Sequence, residues 1–147
     1  VALRIQKNIL QGWKVLIVED EPDNLDVICR ILNHYGADIE TATNGEEGLI
    51  VLRRFKPDFI ISDISMPVMD GWEFCYNVQN DSAFASIPVF ALTAHAMMGD
   101  RERALAAGFT DYMTKPLTPG TFMQQLIVAL SKLPQFQQRI SDLSASA

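Results

Sequence analysis

Cysteine is scarce in this chain, and the two present, Cys29 and Cys75, both fall inside apolar helical patterns rather than at loop edges. That placement excludes a disulfide framework or a thiolate metal site and predicts a reducing, cytoplasmic setting. Long apolar runs are missing too, for none approaches the ~18 residues needed to span a bilayer. The N-terminus lacks the short apolar core and small-residue cleavage pattern of a signal peptide, so no membrane partner is expected. No glycine-rich loop of the GxxxxGK[ST] or GxGxxG type occurs to cradle a nucleotide. Calcium-loop spacing is absent, and His34 and His95 offer no zinc pattern. Positive charge is short: twelve Lys and Arg face eighteen Asp and Glu, a net charge of -6. This argues against a nucleic-acid groove or an anionic membrane.

What is present is core material, since 147 residues with 48% apolar and 20% charged suffice for one domain with a sizeable interior. The acid excess is local. Between Glu19 and Asp81 fourteen acids meet four bases, whereas the remainder is net basic. Short, nearly unbroken apolar runs recur at Val15–Val18, Phe59–Ile61 and Val89–Leu92, with weaker ones near Ala37–Ala42 and Phe109–Met113. Each is followed by helical periodicity, as in Leu25, Ile28, Cys29 and Leu32, or Phe122, Leu126, Leu130 and Leu133. Strands apolar on both faces, alternating with helices, predict a parallel sheet between helical layers. The expectation is a doubly wound α/β fold with five strands and five helices. Asn44 with Glu47, and Asp70 with Glu73, read as helix N-caps, and Gly36 and Gly108 as C-terminal caps. Residues 14–133 are expected to form the domain, with 1–13 an extension or linker and 134–147 a fraying tail. Ile5, Ile9 and Trp13 lie four apart, which fits one stripe of a short helix or, equally, a linker from an upstream region. The chain starts at Val1 rather than Met, consistent with processing or excision from something longer.

In an open parallel sheet, ligands bind beyond the carboxyl ends of the strands where strand order reverses. The first strand runs into Glu19-Asp20-Glu21-Pro22-Asp23, the third ends at Ser62-Asp63, the fourth at Leu92-Thr93 and the fifth at Thr114-Lys115-Pro116. With order 2-1-3-4-5, Glu19, Asp20 and Asp63 share one crevice, with Thr93 and Lys115 on its other side. Three carboxylates ~4 Å apart repel by roughly 4 kcal/mol per pair at an effective dielectric near 20. They call for a cation, and a site of a few protein oxygens plus water suits Mg2+. A metal beside a carboxylate, a hydroxyl and an ammonium is the equipment of phosphoryl transfer. Asp63, between the metal ligands and Lys115, is the natural nucleophile for an acyl-phosphate.

These residues resemble the response-regulator receiver domain of two-component signalling, a flavodoxin-like fold. The resemblance rests on Val18-Glu19-Asp20-Glu21, on Ser62 through Gly71, on Ala91-Leu92-Thr93-Ala94 and on Lys115-Pro116, and it spans roughly Lys14 to Leu133. It implies that Asp63 is phosphorylated and that Glu19, Asp20, Asp63 and the backbone carbonyl of Ser65 hold Mg2+. It further implies that Lys115 pairs with the phosphoryl group, that Thr93 swings its hydroxyl towards it, and that Tyr112 rotates inward as Thr93 moves. Ser65 and His95, each two positions beyond a key residue, stand where such domains tune dephosphorylation. The acid pair is Glu-Asp rather than Asp-Asp, which favours Asp20 over Glu19 as the direct ligand.

Blander roles are weighed beside these. Glu21 and Asp23 are capping or solvated charges and are left out of the site. Trp72, Met66-Pro67 and Met97-Met98 are expected to pack or shape loops. The implied function is a switch that takes a phosphoryl group from a histidine kinase or phosphotransfer protein and signals through the face of helix four, strand five and helix five. It catalyses only its own phosphorylation and hydrolysis. The residues after Leu133 are too few for a DNA-binding or catalytic output domain, so output is expected through protein contacts. A receiver belonging to a hybrid kinase is the alternative, to which the Ala94-His95-Ala96 and Asp100–Arg103 stretches are also similar. A degenerate receiver, an aspartyl-phosphate phosphohydrolase and a flavodoxin-like cofactor carrier are the rivals. The phosphohydrolase would want an acid where Ser65 stands, and the carrier conflicts with the acidic first loop.

Overall fold

A computed structural model describes residues 5–94, 99–115, 117–134 and 136–138. His95, Met97, Met98, Pro116 and the tail from residue 139 lie outside the described residues. Strands and helices alternate: β1 Lys14–Val18, α1 Pro22–His34, β2 Asp38–Ala42, α2 Gly45–Phe55, β3 Phe59–Asp63, α3 Gly71–Gln79, β4 Val89–Thr93, α4 Asp100–Ala106, β5 Asp111–Thr114 and α5 Pro119–Ser131. The strands form one parallel sheet of order β2-β1-β3-β4-β5, as expected.

Burial explains the pattern. The β3 and β4 residues are buried throughout and β1 is buried after Lys14, whereas the edge strands β2 and β5 are only partly so. Apolar side chains therefore form a layer on each side of the sheet. One layer holds Val15, Ile17, Phe59, Ile61, Phe90 and Leu92 against α1 and α5. The other holds Leu16, Val18, Ile60, Val89 and Ala91 against α2, α3 and α4. A fully buried aliphatic or aromatic side chain contributes about 1.5–3 kcal/mol, so these layers dominate the stability of the fold.

Local chemistry fixes the helix ends. Asn44 Oδ1 accepts from the Glu47 N–H, and Asp70 Oδ1 from the Glu73 N–H, each at 2.9 Å. Gly36 and Gly108 take positive φ just beyond α1 and α4, as their sequence positions predicted. Lys56 ends α2 in the left-handed region although it is not glycine.

Before β1, the residues described from 5 onward form no regular helix. Residues 7–12 are a run of turns closed by Ile9 N–H to Gln6 O, Gln11 N–H to Asn8 O and Trp13 N–H to Leu10 O. Ile9, Leu10 and Trp13 are buried in the α1/α5 layer. The Leu10 N–H donates to Tyr35 O (2.9 Å), and the Trp13 ring meets Phe136 at 4.6 Å and Phe59 edge-on at 5.9 Å. The segment is thus held at the end of the sheet where β1 begins. Among the described residues no helix is long and apolar enough to cross a membrane.

Candidate functional site

The register of the sheet assembles the site from residues far apart in sequence. β1 lies between β2 and β3, so Glu19, just past Val18, is pinned by its N–H to Ala42 O (3.0 Å) beside the end of β3, where Asp63 stands. Glu19, Asp20 and Asp63 each offer a carboxylate oxygen within 4.8 Å of the others. On the far side of β3, Leu92 is paired with Asp63, and Thr93 accepts the Lys115 N–H at 2.9 Å. That backbone bond brings the base of the Lys115 side chain to the crevice. Its ammonium lies 3.2 Å from Glu19 Oε2 and 3.5 Å from Asp63 Oδ2, with only 14% of the side chain exposed.

Electrostatics are crowded. Glu19 is fully buried, and burial, reinforced by the charge of Asp63, pushes its carboxyl up from 4.5 to about 7. The Glu21 N–H, which donates to Glu19 Oε1 at 3.1 Å, and the Lys115 charge pull the other way and lose. Glu19 Oε2 makes no aligned hydrogen bond, so Lys115 meets it as a charge only. A buried carboxylate oxygen without an aligned donor, in a cluster of three acids of which Glu19 and Asp63 meet Lys115, is a donor set that fits a hard divalent cation.

The backbone at Asp63 and Ile64 is held by two bonds. The Ser62 hydroxyl donates to the Asp63 carbonyl (2.9 Å), and the Gly71 N–H donates to Ile64 O (2.8 Å). Gly71 starts α3 directly against the strand: a Cβ there would fall 2.3 Å from Asp63 O and 2.8 Å from Ile64 Cα. Only glycine allows this approach. The sequence contains Gly71, but not what it touches, so this role and that of Ser62 were missed.

The other singled-out residues fall as follows. Thr93 is buried at the end of β4, and Tyr112 is half-buried against the α2–α4 layer, one residue from Asp111. Ser65 is exposed on the loop after β3. Glu21 is the N-cap position of α1 and Asp23 lies in its first turn. Trp72 packs edge-on against Phe109 at 5.6 Å, with the Arg103 guanidinium over its ring at 5.5 Å.

Comparison with known proteins agrees with the fold. Residues 15–127 match the family model described as response regulator receiver domain. The chain is 41% identical over 110 residues to an uncharacterised 14.6 kDa protein of Leptolyngbya boryana, covering 75% of this chain and 84% of that one. It is 34% identical to the sensor histidine kinase CheAY of Helicobacter pylori, covering 86% of this chain but only 16% of the kinase. Among solved structures, chemotaxis response regulator CheY4 of Vibrio cholerae superposes with a TM-score of 0.75 at 33% identity, over 80% of this chain and 98% of that one. The receiver domain of sensor histidine kinase PA1611 of Pseudomonas aeruginosa, described with magnesium coordinated in its active-site cleft, gives 0.71 at 33% identity, over 78% and 94%.

The chain therefore belongs to the response-regulator receiver domain family of two-component signalling. Domains of this family are phospho-accepting switches rather than metabolic enzymes.

Proposed function

We propose that this chain is a phosphorelay receiver in which Asp63 accepts a phosphoryl group from the phosphohistidine of a histidine kinase or phosphotransfer protein. The observation that carries the reading is the convergence of the Glu19, Asp20 and Asp63 carboxylates, with the Lys115 ammonium beside Glu19 and Asp63. A carboxylate oxygen of Asp63 attacks phosphorus, the phosphorus–nitrogen bond to the donor histidine breaks, and the imidazole leaves carrying the electron pair. Glu19, Asp20, Asp63 and the Ser65 carbonyl would hold Mg2+, which when bound supplies neutralisation of the charge that gathers on the phosphoryl oxygens. Lys115, already beside Asp63, keeps one of those oxygens paired. The Thr93 hydroxyl closes on another, and Tyr112 moves with it. Hydrolysis by water resets the aspartate.

Output is assigned to the face of α4, β5 and α5, supported by the way one acid ties the three together. Asp111 of β5 is buried and meets Arg101 of α4 at 2.9 Å and Lys132, just past α5, at 3.6 Å. A second reading, that the domain works within a longer kinase or regulator, is favoured by its covering 16% of CheAY and 44% of the probable transcriptional regulator ycf27 of Porphyra purpurea. In either case we place it in the cytoplasm, working through protein rather than nucleic-acid or membrane contacts.

Incubation with Mg2+ and acetyl phosphate should give an acid-stable, base-labile mass increase that disappears in Asp63→Asn. No adduct in the unaltered protein would replace this reading with that of a degenerate, phosphorylation-independent interaction module.

A further inference from the structure

The loop between β3 and α3 holds one residue in a conformation its side chain opposes. Val68 has φ +67°, and the Met69 N–H donates to Pro67 O at 2.7 Å, so Val68 is the centre of a γ-turn with positive φ. Such turns are rare and strained, and a β-branched residue is among the worst suited to them. Val68 is nevertheless 74% exposed, so the strain is not offset by burial.

The turn is fixed from both sides. The Gly45 N–H donates to Met69 O (2.9 Å), and Met69 lies so close over Gly45 that a Cβ there would be 2.7 Å from Met69 Cγ. Beyond it, Asp70 caps α3 and the Gly71 N–H is bound to Ile64 O. Strain that persists because neighbouring elements over-determine it is a reason to ask what the position does. Beside Val68 stands Ile50 of α2, 65% exposed, and the two line an open groove of about 410 Å³ with Asn44, Glu46 and Glu47. An apolar floor with a carboxylate rim is complementary to an aliphatic side chain flanked by cations.

We propose that the Ile50–Val68 groove is a docking surface for an amphipathic helix of a partner protein that presents leucine-like side chains flanked by lysine or arginine. It lies beside α2, which packs on β1 and β2, towards the edge of the sheet opposite β5.

The test uses ¹⁵N-labelled protein titrated with a 16-residue helical peptide of alanine, with leucines at i and i+4 and flanking lysines. The expected result is saturable shifts centred on residues 44–50 and 66–70. They should weaken at least tenfold in Ile50→Gln/Val68→Gly, and equally when glutamate replaces lysine in the peptide. Val68→Gly keeps the positive φ accessible, so loss of binding there reports the lost side chain. Shifts confined to α4, β5 and α5, or no saturable shift, would overturn the proposal. So would concentration-dependent dimerisation in sedimentation that the double substitution abolishes, which would assign the groove to a second copy of this chain. Acetyl phosphate labelling of the double variant at the unaltered rate shows an intact Asp63 site. Failure of the unaltered protein to label would sink the phospho-acceptor reading while leaving the groove result standing.

Discussion

At the scale of single residues, three clustered acids, two of them beside one ammonium, make the metal-free site a source of instability. Removing one acid relieves repulsion without leaving Lys115 unpartnered, because Glu19 remains 3.2 Å away. Asp20→Ala and Asp63→Asn should therefore each raise the melting temperature in EDTA by a few degrees, corresponding to roughly 1 kcal/mol. A lower melting temperature for both would contradict the crowded pocket. Glu19 adds a pH dependence. Its folded-state carboxyl is raised from 4.5 to about 7, so between these values the unfolded chain has released a proton that the folded chain retains. Stability without metal should fall as pH rises from about 4.5 to 7 and then level off, a trend that denaturant melts in EDTA would reveal and Glu19→Gln would flatten. The candidates Glu19, Asp20, Asp63, Thr93 and Lys115 were legible because each lies at or just past the carboxyl end of a strand, where this fold concentrates chemistry. The raised carboxyl of Glu19 was not, since it depends on burial that no motif encodes.

At the scale of elements, the loop from Asp63 to Gly71 is held by contacts to two helices rather than by its own propensity. Val68→Gly should raise stability by about 1 kcal/mol in urea melts, because glycine reaches positive φ without the Cβ clash and this exposed valine side chain has little packing to lose. Unchanged or reduced stability would mean that the turn is not strained. Sequence reasoning could not anticipate this turn, since a β-branched residue argues against positive φ. The strands show the opposite case. β1, β3 and β4 were plain because burial on both faces leaves an unbroken apolar run, whereas β2 and β5 were faint because edge strands keep one side partly in water. The N-cap residues Asn44 and Asp70 were equally readable, as capping is a local bond between near neighbours.

For the whole molecule, the sheet separates two apolar layers, and the segment before β1 belongs to one of them. That segment was ambiguous in sequence because its partners, Tyr35 and Phe136, are remote along the chain and its turns carry no periodicity. Its burial places Trp13 in the α1/α5 layer, while the chain's other tryptophan, Trp72, packs against the α2–α4 layer. Each side of the sheet thus carries its own natural fluorophore. Trp13→Phe and Trp72→Phe variants would emit from one layer at a time. Coincident melting curves are expected if the sheet couples the layers into one cooperative unit, and separated curves would show that they melt independently. The same pair of signals distinguishes local from global events: a change on phosphorylation seen by Trp72 and not by Trp13 would confine the response to the α2–α4 side. The two buried layers thereby become separate optical channels, available without attaching any dye.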